Sequence, residues 1–391
     1  FADLITFTRA STATFVGSNG LIQSATTNTP RIDFDPVTND RKGFLIEEAR
    51  TNAFDNSEDF TSANFTLTSL TVTSNQGTAP DGTNNADKVV ANVASQCFML
   101  KNTGITSGDT HTLSVFAKAD GLNFIQITGS TGFPTEFQNY NLSTGALASS
   151  SSTLSSSIED FGNGWYRLAL TLTANNTVTN GRFVIALMSG DDGRIDSDAT
   201  STPSGTDGVL LFGAQFEEGA FPTSYIPTSG ATVTRAADAA SIATSAFGYN
   251  QDEGTFLAEA STFDDISSAK CVFFASSSGA HFTDRLNLFF SSSEVVKFDI
   301  EVGNTQVANI TRGSGFLNVF KKMAAAYQEN NAALAVTGLD ASADTSCTIP
   351  TNTILQIGAF SNSTTFLNGH IKKIQYFPRR LSDTQLQEIT R

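Results

Sequence analysis

Trp165 is the only tryptophan in the chain, and Arg167 follows it two positions later. Residues two apart on an extended strand share a face, so Trp165, Arg167, Ala169 and Thr171 occupy one side. Tyr166, Leu168, Leu170 and Leu172 make an apolar opposite side. Sugar rings present C–H faces that stack on aromatics, and their hydroxyls take hydrogen bonds from Arg, Asn and Gln. An indole beside a guanidinium is therefore a candidate saccharide platform. Asn139 and Tyr140, after Pro134, are candidates of the same kind. Against this, large aromatics are mostly buried, so Trp165 also reads as packed under a loop or another domain.

The densest acidic stretch is Asp191-Asp192-Gly193-Arg194-Ile195-Asp196-Ser197-Asp198. Its oxygens make Asp191, Asp192, Asp196 and Asp198 candidate Ca²⁺ ligands, although the spacing is not that of an EF-hand and a solvated loop also accounts for it. The adjacent pairs Glu47–Glu48, Glu217–Glu218 and Asp191–Asp192 point to opposite faces of any strand, so neither pair member can join its neighbour in flanking a glycosidic bond. No G-x-S-x-G, P-loop or H-E-x-x-H is present, and His111, His281 and His370 have no partnered spacing. A non-enzymatic protein is expected. Cys97, Cys271 and Cys347 form no C-x-x-C and read as buried free thiols.

Lys plus Arg number 23 against 38 Asp plus Glu, a net charge of -15 over 391 residues, which argues against nucleic acid as a partner. Charged residues are 16% of the chain, below the roughly 25% of ordinary domains. Abundant Ser, Thr, Asn and Gly with 32 Phe fits pleated surfaces and turns, so the composition predicts an all-β protein. No apolar run is long enough for a membrane-spanning helix.

These residues need strands to position them, and the chain supplies strands in three styles. Residues 1–52 hold very short β-prone runs that cannot enclose a core alone, and read as an N-terminal attachment or oligomerisation segment packing on a neighbouring domain or subunit. Residues 53–228 hold longer runs, including Leu113–Ala117, Phe124–Ile127, Trp165–Leu172 and Phe183–Met188, without intervening helices, which predicts an antiparallel sandwich or jelly roll. Pro222 and Pro227 make Phe221–Thr228 an extended strap leaving that sandwich. Residues 229–244 suit an ordered linker, and 245–391 form a second antiparallel sandwich. Near its end, Ser382 and Gln385 make a capping box and Leu381 with Leu386 a hydrophobic staple, predicting one short helix.

At three places the residues go beyond composition. Arg9-Ala10-Ser11-Thr12-Ala13-Thr14-Phe15-Val16, Pro30-Arg31-Ile32-Asp33-Phe34-Asp35-Pro36 and Gly43-Phe44-Leu45-Ile46-Glu47-Glu48-Ala49-Arg50-Thr51-Asn52 resemble a recurrent segment of bacteriophage tail-fibre and appendage proteins. Phe161-Gly162-Asn163-Gly164-Trp165-Tyr166-Arg167 and Gly213-Ala214-Gln215-Phe216-Glu217-Glu218-Gly219, running into Pro222–Thr228, resemble the carbohydrate-binding-module-type jelly roll of those proteins. The block ending Asn368-Gly369-His370-Ile371 to Leu381-Ser382-Asp383 is similar to concanavalin-A-like or laminin-G-like sandwiches. The resemblance implies a non-catalytic virion appendage subunit, a homo-oligomer with a trimer favoured. It would sit on the particle surface beside other virion proteins and bind host cell-surface polysaccharide. The other readings are a purely structural or decoration protein of the virion and a secreted carbohydrate-binding adhesin.

Overall fold

The computed structural model describes residues 4–92, 95–151, 155–195, 203, 205, 207–263, 268–277, 283–360 and 365–391. It is an all-β protein whose antiparallel sheets form two sandwiches. The first has one sheet in the order Ser155–Asp160, Trp165–Thr173, Thr110–Asp120, Gly208–Glu218, Ala86–Ala91, Leu70–Gly77. The order in its other sheet is Ala146–Ser150, Phe137–Asn141, Phe124–Ser130, Val178–Met188, Cys97–Ile105, Thr66–Thr68. The chain crosses repeatedly between the sheets, so that strands far apart in sequence become neighbours. This is the connectivity of a jelly roll.

Alternation decides which residues fill it. Leu113, Val115, Leu168, Leu170, Leu172, Ile125, Ile127, Ile185 and Leu187 point inward and are buried in one core. At one end of the sheet the outward neighbours are polar, and the hydroxyls of Thr110 with Thr173 and Thr112 with Thr171 meet across the strands at 3.0 and 2.7 Å. The Gly162-Asn163-Gly164 turn has three successive residues at positive φ (75°, 53° and 80°). Glycine and asparagine tolerate that region best, which explains the residue types of the motif.

The second sandwich has a sheet ordered Thr6–Thr8, Ala239–Ala243, Ile354–Ile357, Lys270–Ser276, Arg285–Phe290, Val295–Val302, Thr305–Ser314. Facing it is Ser342–Asp344, Ala332–Val336, Lys321–Gln328, Glu253–Thr262, Gly369–Phe377, Arg41–Ile46, Ile32–Phe34. Three strands of the N-terminal segment thus complete edges of the C-terminal sandwich, and Phe7, Phe44 and Ile46 enter its core. A separate hairpin, Ala13–Val16 with Ile22–Ala25, lies on the jelly roll, where Val16 and Ile22 pack with Trp165. Residues 1–52 pair within their own chain, and the stretch 229–244 is built into strands, Val233–Arg235 against Arg50–Asn52 and Ala239–Ala243 in the large sheet. Short runs with unpaired backbone are satisfied by joining a larger sheet. The strap also differs from expectation. It folds back along the jelly roll, with Ile226 N–H donating to Gln215 Oε1 at 2.6 Å and Thr228 N–H to Ser57 Oγ at 2.9 Å.

Where these pieces meet, Arg9, Arg31 and Arg235 are fully buried with Glu47 and Asp238. Arg31 bonds Glu47 Oε2 at 2.7 Å and Asp238 Oδ2 at 2.5 Å, and Arg9 reaches Asp238 Oδ1 at 3.1 Å. Ser224 of the strap donates from its backbone N–H and its hydroxyl to Glu47, at 2.7 and 2.6 Å. Burial acts to raise the Glu47 carboxyl, but Arg235 and Arg31 outweigh it and hold Glu47 far below the usual carboxylate range. The helix Asp383–Ile389 carries the capping box at Ser382 and Gln385.

Candidate functional site: a cleft between the sandwiches

The outward face of Trp165–Thr173 has two fates. At the Trp165 end it is roofed. Trp165 is 3% exposed, packs with Val16, Phe161, Phe212 and Tyr225, and its Nε1–H donates to the Thr78 carbonyl at 3.0 Å. From Arg167 through Ala169 to Thr171 the same face opens into a cleft of about 610 Å³ between the two sandwiches. That size lies within the usual 300–1,000 Å³ of small-molecule sites.

Three parts of the chain build the cleft. The jelly roll gives Ser155, Ser157, Glu159, Arg167 and Thr171 on adjacent strands. The N-terminal segment gives Asp33 and Lys42, and the C-terminal sandwich gives Ser261, Phe263, Asn318, Phe320 and His370. Phe221 of the strap meets Phe263 edge-on at 5.5 Å, and Phe263 and Phe320 flank the His370 ring at 5.9 and 6.4 Å. His370 Nε2 lies 2.8 Å from Asp33 Oδ2, while Asp33 Oδ1 accepts the Val16 N–H at 2.7 Å. Lys42 Nζ reaches across to Glu159 at 3.4 Å. The walls therefore offer aromatic faces and edges together with hydroxyls, an amide and charges of both signs, the surface that a polyhydroxylated ring can satisfy.

Arg167 is 9% exposed. One terminal nitrogen donates to Ser114 Oγ at 3.0 Å, the guanidinium lies 5.4 Å from the Phe116 ring centroid, and Nε has no hydrogen-bond partner. Burial holds it below the ordinary arginine value, with Glu217, Glu159 and Glu47 acting the other way from a distance.

The remaining sequence-predicted residues are not brought to this cleft. Trp165 shares a strand face with Arg167 but has no surface left for a sugar. Asn139 and Tyr140 are both fully buried and, being adjacent on a strand, face opposite ways. Tyr140 enters the jelly-roll core and donates to the Ala169 carbonyl at 2.7 Å, so it presents nothing to solvent. Asn139 faces outward beneath the acidic loop. Its Nδ2 donates to Asp191 Oδ1 at 2.9 Å and to the Asp192 carbonyl at 2.6 Å, and its Oδ1 accepts from Gln126 at 2.7 Å. Asp191 also accepts from the Ser149 backbone and hydroxyl at 3.0 and 2.9 Å. Burial acts to raise Asp191, yet these Asn139 and Ser149 bonds leave it below its usual value. Both its oxygens are engaged in pinning the loop to the sheet. Asp192 Oδ1 accepts the Gly193 N–H at 2.7 Å. Asp196 and Asp198 lie outside the described residues, among which no group of three or more His, Cys, Asp or Glu is arranged to hold a metal. Sequence reading missed Lys42, Phe263, Phe320 and His370 as cleft residues, because none carries a local motif and each reaches the cleft only through folding.

Fold and cleft together define a two-sandwich, all-β protein with a mixed aromatic and polar groove between its domains. No protein-family model matches the chain, and no curated protein matches it in sequence. Among solved structures it is similar to the mouse laminin alpha1 chain, domains LG4-5, at 11% identity and a TM-score of 0.26, over 75% of this chain and 88% of that one.

Proposed function

We propose that this protein is a non-catalytic appendage subunit of a virus particle that binds host cell-surface glycans in the cleft between its sandwiches. The observation that carries the binding part is the cleft of about 610 Å³ itself, where Phe221, Phe263 and Phe320 stand among Ser155, Ser157, Asn318 and Lys42. The virion part is supported by the resemblance of Arg9–Val16, Pro30–Pro36 and Gly43–Asn52 to phage tail-fibre segments. On this reading the chain is displayed on the particle surface as a homo-oligomer, a trimer by the same resemblance. Each weak site then gains from the others through effective concentration.

A glycan array probed with the intact oligomer tests this. Binding is expected, with Phe320→Ala weakening it about tenfold, in line with about 1–1.5 kcal/mol for one aromatic contact. Absence of binding by the intact oligomer would assign the sandwiches a spacer or decoration role, and release of reducing ends from bound polysaccharide would make the protein an enzyme.

A further inference from the structure

Arg167 is a buried charge without a counter-ion. Among the described residues no carboxylate stands within ion-pair distance of its guanidinium, which has only Ser114 Oγ and the Phe116 ring as partners. Glu159 stands directly opposite it on the neighbouring strand. Glu159 instead extends toward solvent and meets Lys42 Nζ at 3.4 Å. The other nearby acids are committed as well. Glu47 is held by Arg31, Arg235 and Ser224, and Glu217 accepts from the Gln215 side chain, from Thr223 N–H and from Thr223 Oγ1 at 2.6, 3.0 and 2.7 Å. An unpaired buried charge is costly unless something supplies the missing partner. Arg167 lines the cleft, while its Nε–H, shut off from solvent, has no partner within the protein.

We infer that the cleft selects carboxylate-bearing sugars, the carboxylate of the ligand taking the place opposite Arg167 that Glu159 leaves empty. The inference rests on the reading of the cleft as a glycan site and deepens it by naming the class of glycan. The net charge of -15 works against anionic polymers at long range. That repulsion is screened over about 8 Å at physiological salt, whereas the Arg167 contact is made at hydrogen-bond distance in a partly desolvated groove. Guanidinium and carboxylate are both planar, so the pair can align two parallel hydrogen bonds, which a lysine cannot reproduce.

The test is an array of uronate- and sialate-containing oligosaccharides, each beside its carboxyl-reduced twin, read with the intact oligomer. Acidic members are expected to bind at least tenfold better than their twins. Arg167→Gln and Arg167→Lys should erase or shrink that preference, and Phe320→Ala should weaken acidic and neutral members alike. Equal binding of acid and twin, a preference unchanged in Arg167→Gln, or a response confined to phosphodiester glycans overturns the carboxylate assignment. In each of those cases a Phe320→Ala effect keeps the cleft reading standing. Binding of no member overturns both. Arg167→Met supplies an independent readout without ligand. Because it keeps the stem and removes an uncompensated charge, its melting temperature should equal or exceed that of the wild type. A marked fall would show that the guanidinium serves the fold, and would also overturn the assignment.

Discussion

His111 and Asp299 are buried ionisable side chains on different sandwiches, and their titrations act on stability in opposite directions. His111 stacks on Phe216 with ring centroids 5.1 Å apart, and neither ring nitrogen has a hydrogen-bond partner. Burial holds its imidazole below the ordinary 6.5, against the pull of Glu218 and Asp109. The unfolded chain therefore binds the proton more readily, so the stability of the jelly roll is complete above pH 6.5 and declines as the pH falls below it. Trp165, inside the jelly-roll domain, reports this unfolding by fluorescence. Its thermal midpoint should be lower at pH 5 than at pH 7.5, and His111→Phe should remove most of the difference. At Asp299, burial raises the carboxyl to about 6 despite Arg285 beside it at 3.7 Å. Here the folded state binds the proton more readily. Its stability contribution is complete below pH 3.8 and is lost as the pH rises through about 6. Asp299→Asn should stabilise the C-terminal sandwich at pH 8 by on the order of 2 kcal/mol and have little effect at pH 4. Hydrogen exchange of amides in Lys270–Val302 would measure it, and slower exchange in the variant at pH 8 is the expected sign.

At the scale of elements, the recurrent sequence segments turn out to be joints. Arg9, Arg31 and Glu47 belong to the three N-terminal segments singled out in the sequence, and all three lie in the buried ion cluster with Asp238. Replacing Arg31 by Met would leave Glu47 and Asp238 buried with reduced compensation, at a cost of about 3–5 kcal/mol. Urea denaturation should show that loss, and protease should cut the strap and Val233–Arg235 region sooner. The strands of the N-terminal segment make a second prediction. A fragment of residues 239–391 lacks the edge strands Thr6–Thr8 and Ile32–Phe34, the strand Arg41–Ile46 beside the latter, and the core side chains Phe7, Phe44 and Ile46. Each such side chain contributes roughly 1.5–3 kcal/mol when buried. The fragment should aggregate or bind a hydrophobic dye, and the full chain should do neither. Element types were legible in the sequence. Alternation assigned the two faces of Trp165–Thr173, and the Ser382–Gln385 pair marked the helix start, because both signals are local. The partner of a short strand is not local, so the sheet that Thr6–Thr8 and Arg41–Ile46 join could not be read from their residues.

At the scale of the whole molecule, the cleft exists only where the two sandwiches and the N-terminal segment meet. Arg167 comes from one sandwich, Phe320 and His370 from the other, and Lys42 and Asp33 from the segment that ties them. Under the proposed function, replacing a cleft residue outside the jelly roll, as in Asn318→Ala, should weaken glycan binding without lowering the melting temperature of the jelly roll, a result that surface plasmon resonance with the full chain would show. Under the proposed function, Arg31→Met should weaken binding as well as stability, since Arg31 holds the cleft-lining Glu47 and Ser224 at 2.7 and 2.8 Å. Composition and periodicity determined the all-β class, the inward and outward faces, the turns and the helix cap. All of these depend on backbone preferences and side-chain alternation over a few residues. Folding decided that Trp165 is roofed while Arg167, two residues away, looks into a cleft, and that Asn139 pins an acidic loop instead of meeting a ligand. Those outcomes depend on contacts such as Asp33 with His370, 337 residues apart in sequence. No local pattern encodes which distant surface will cover a given face, and that surface determines whether a side chain becomes core, joint or binding site.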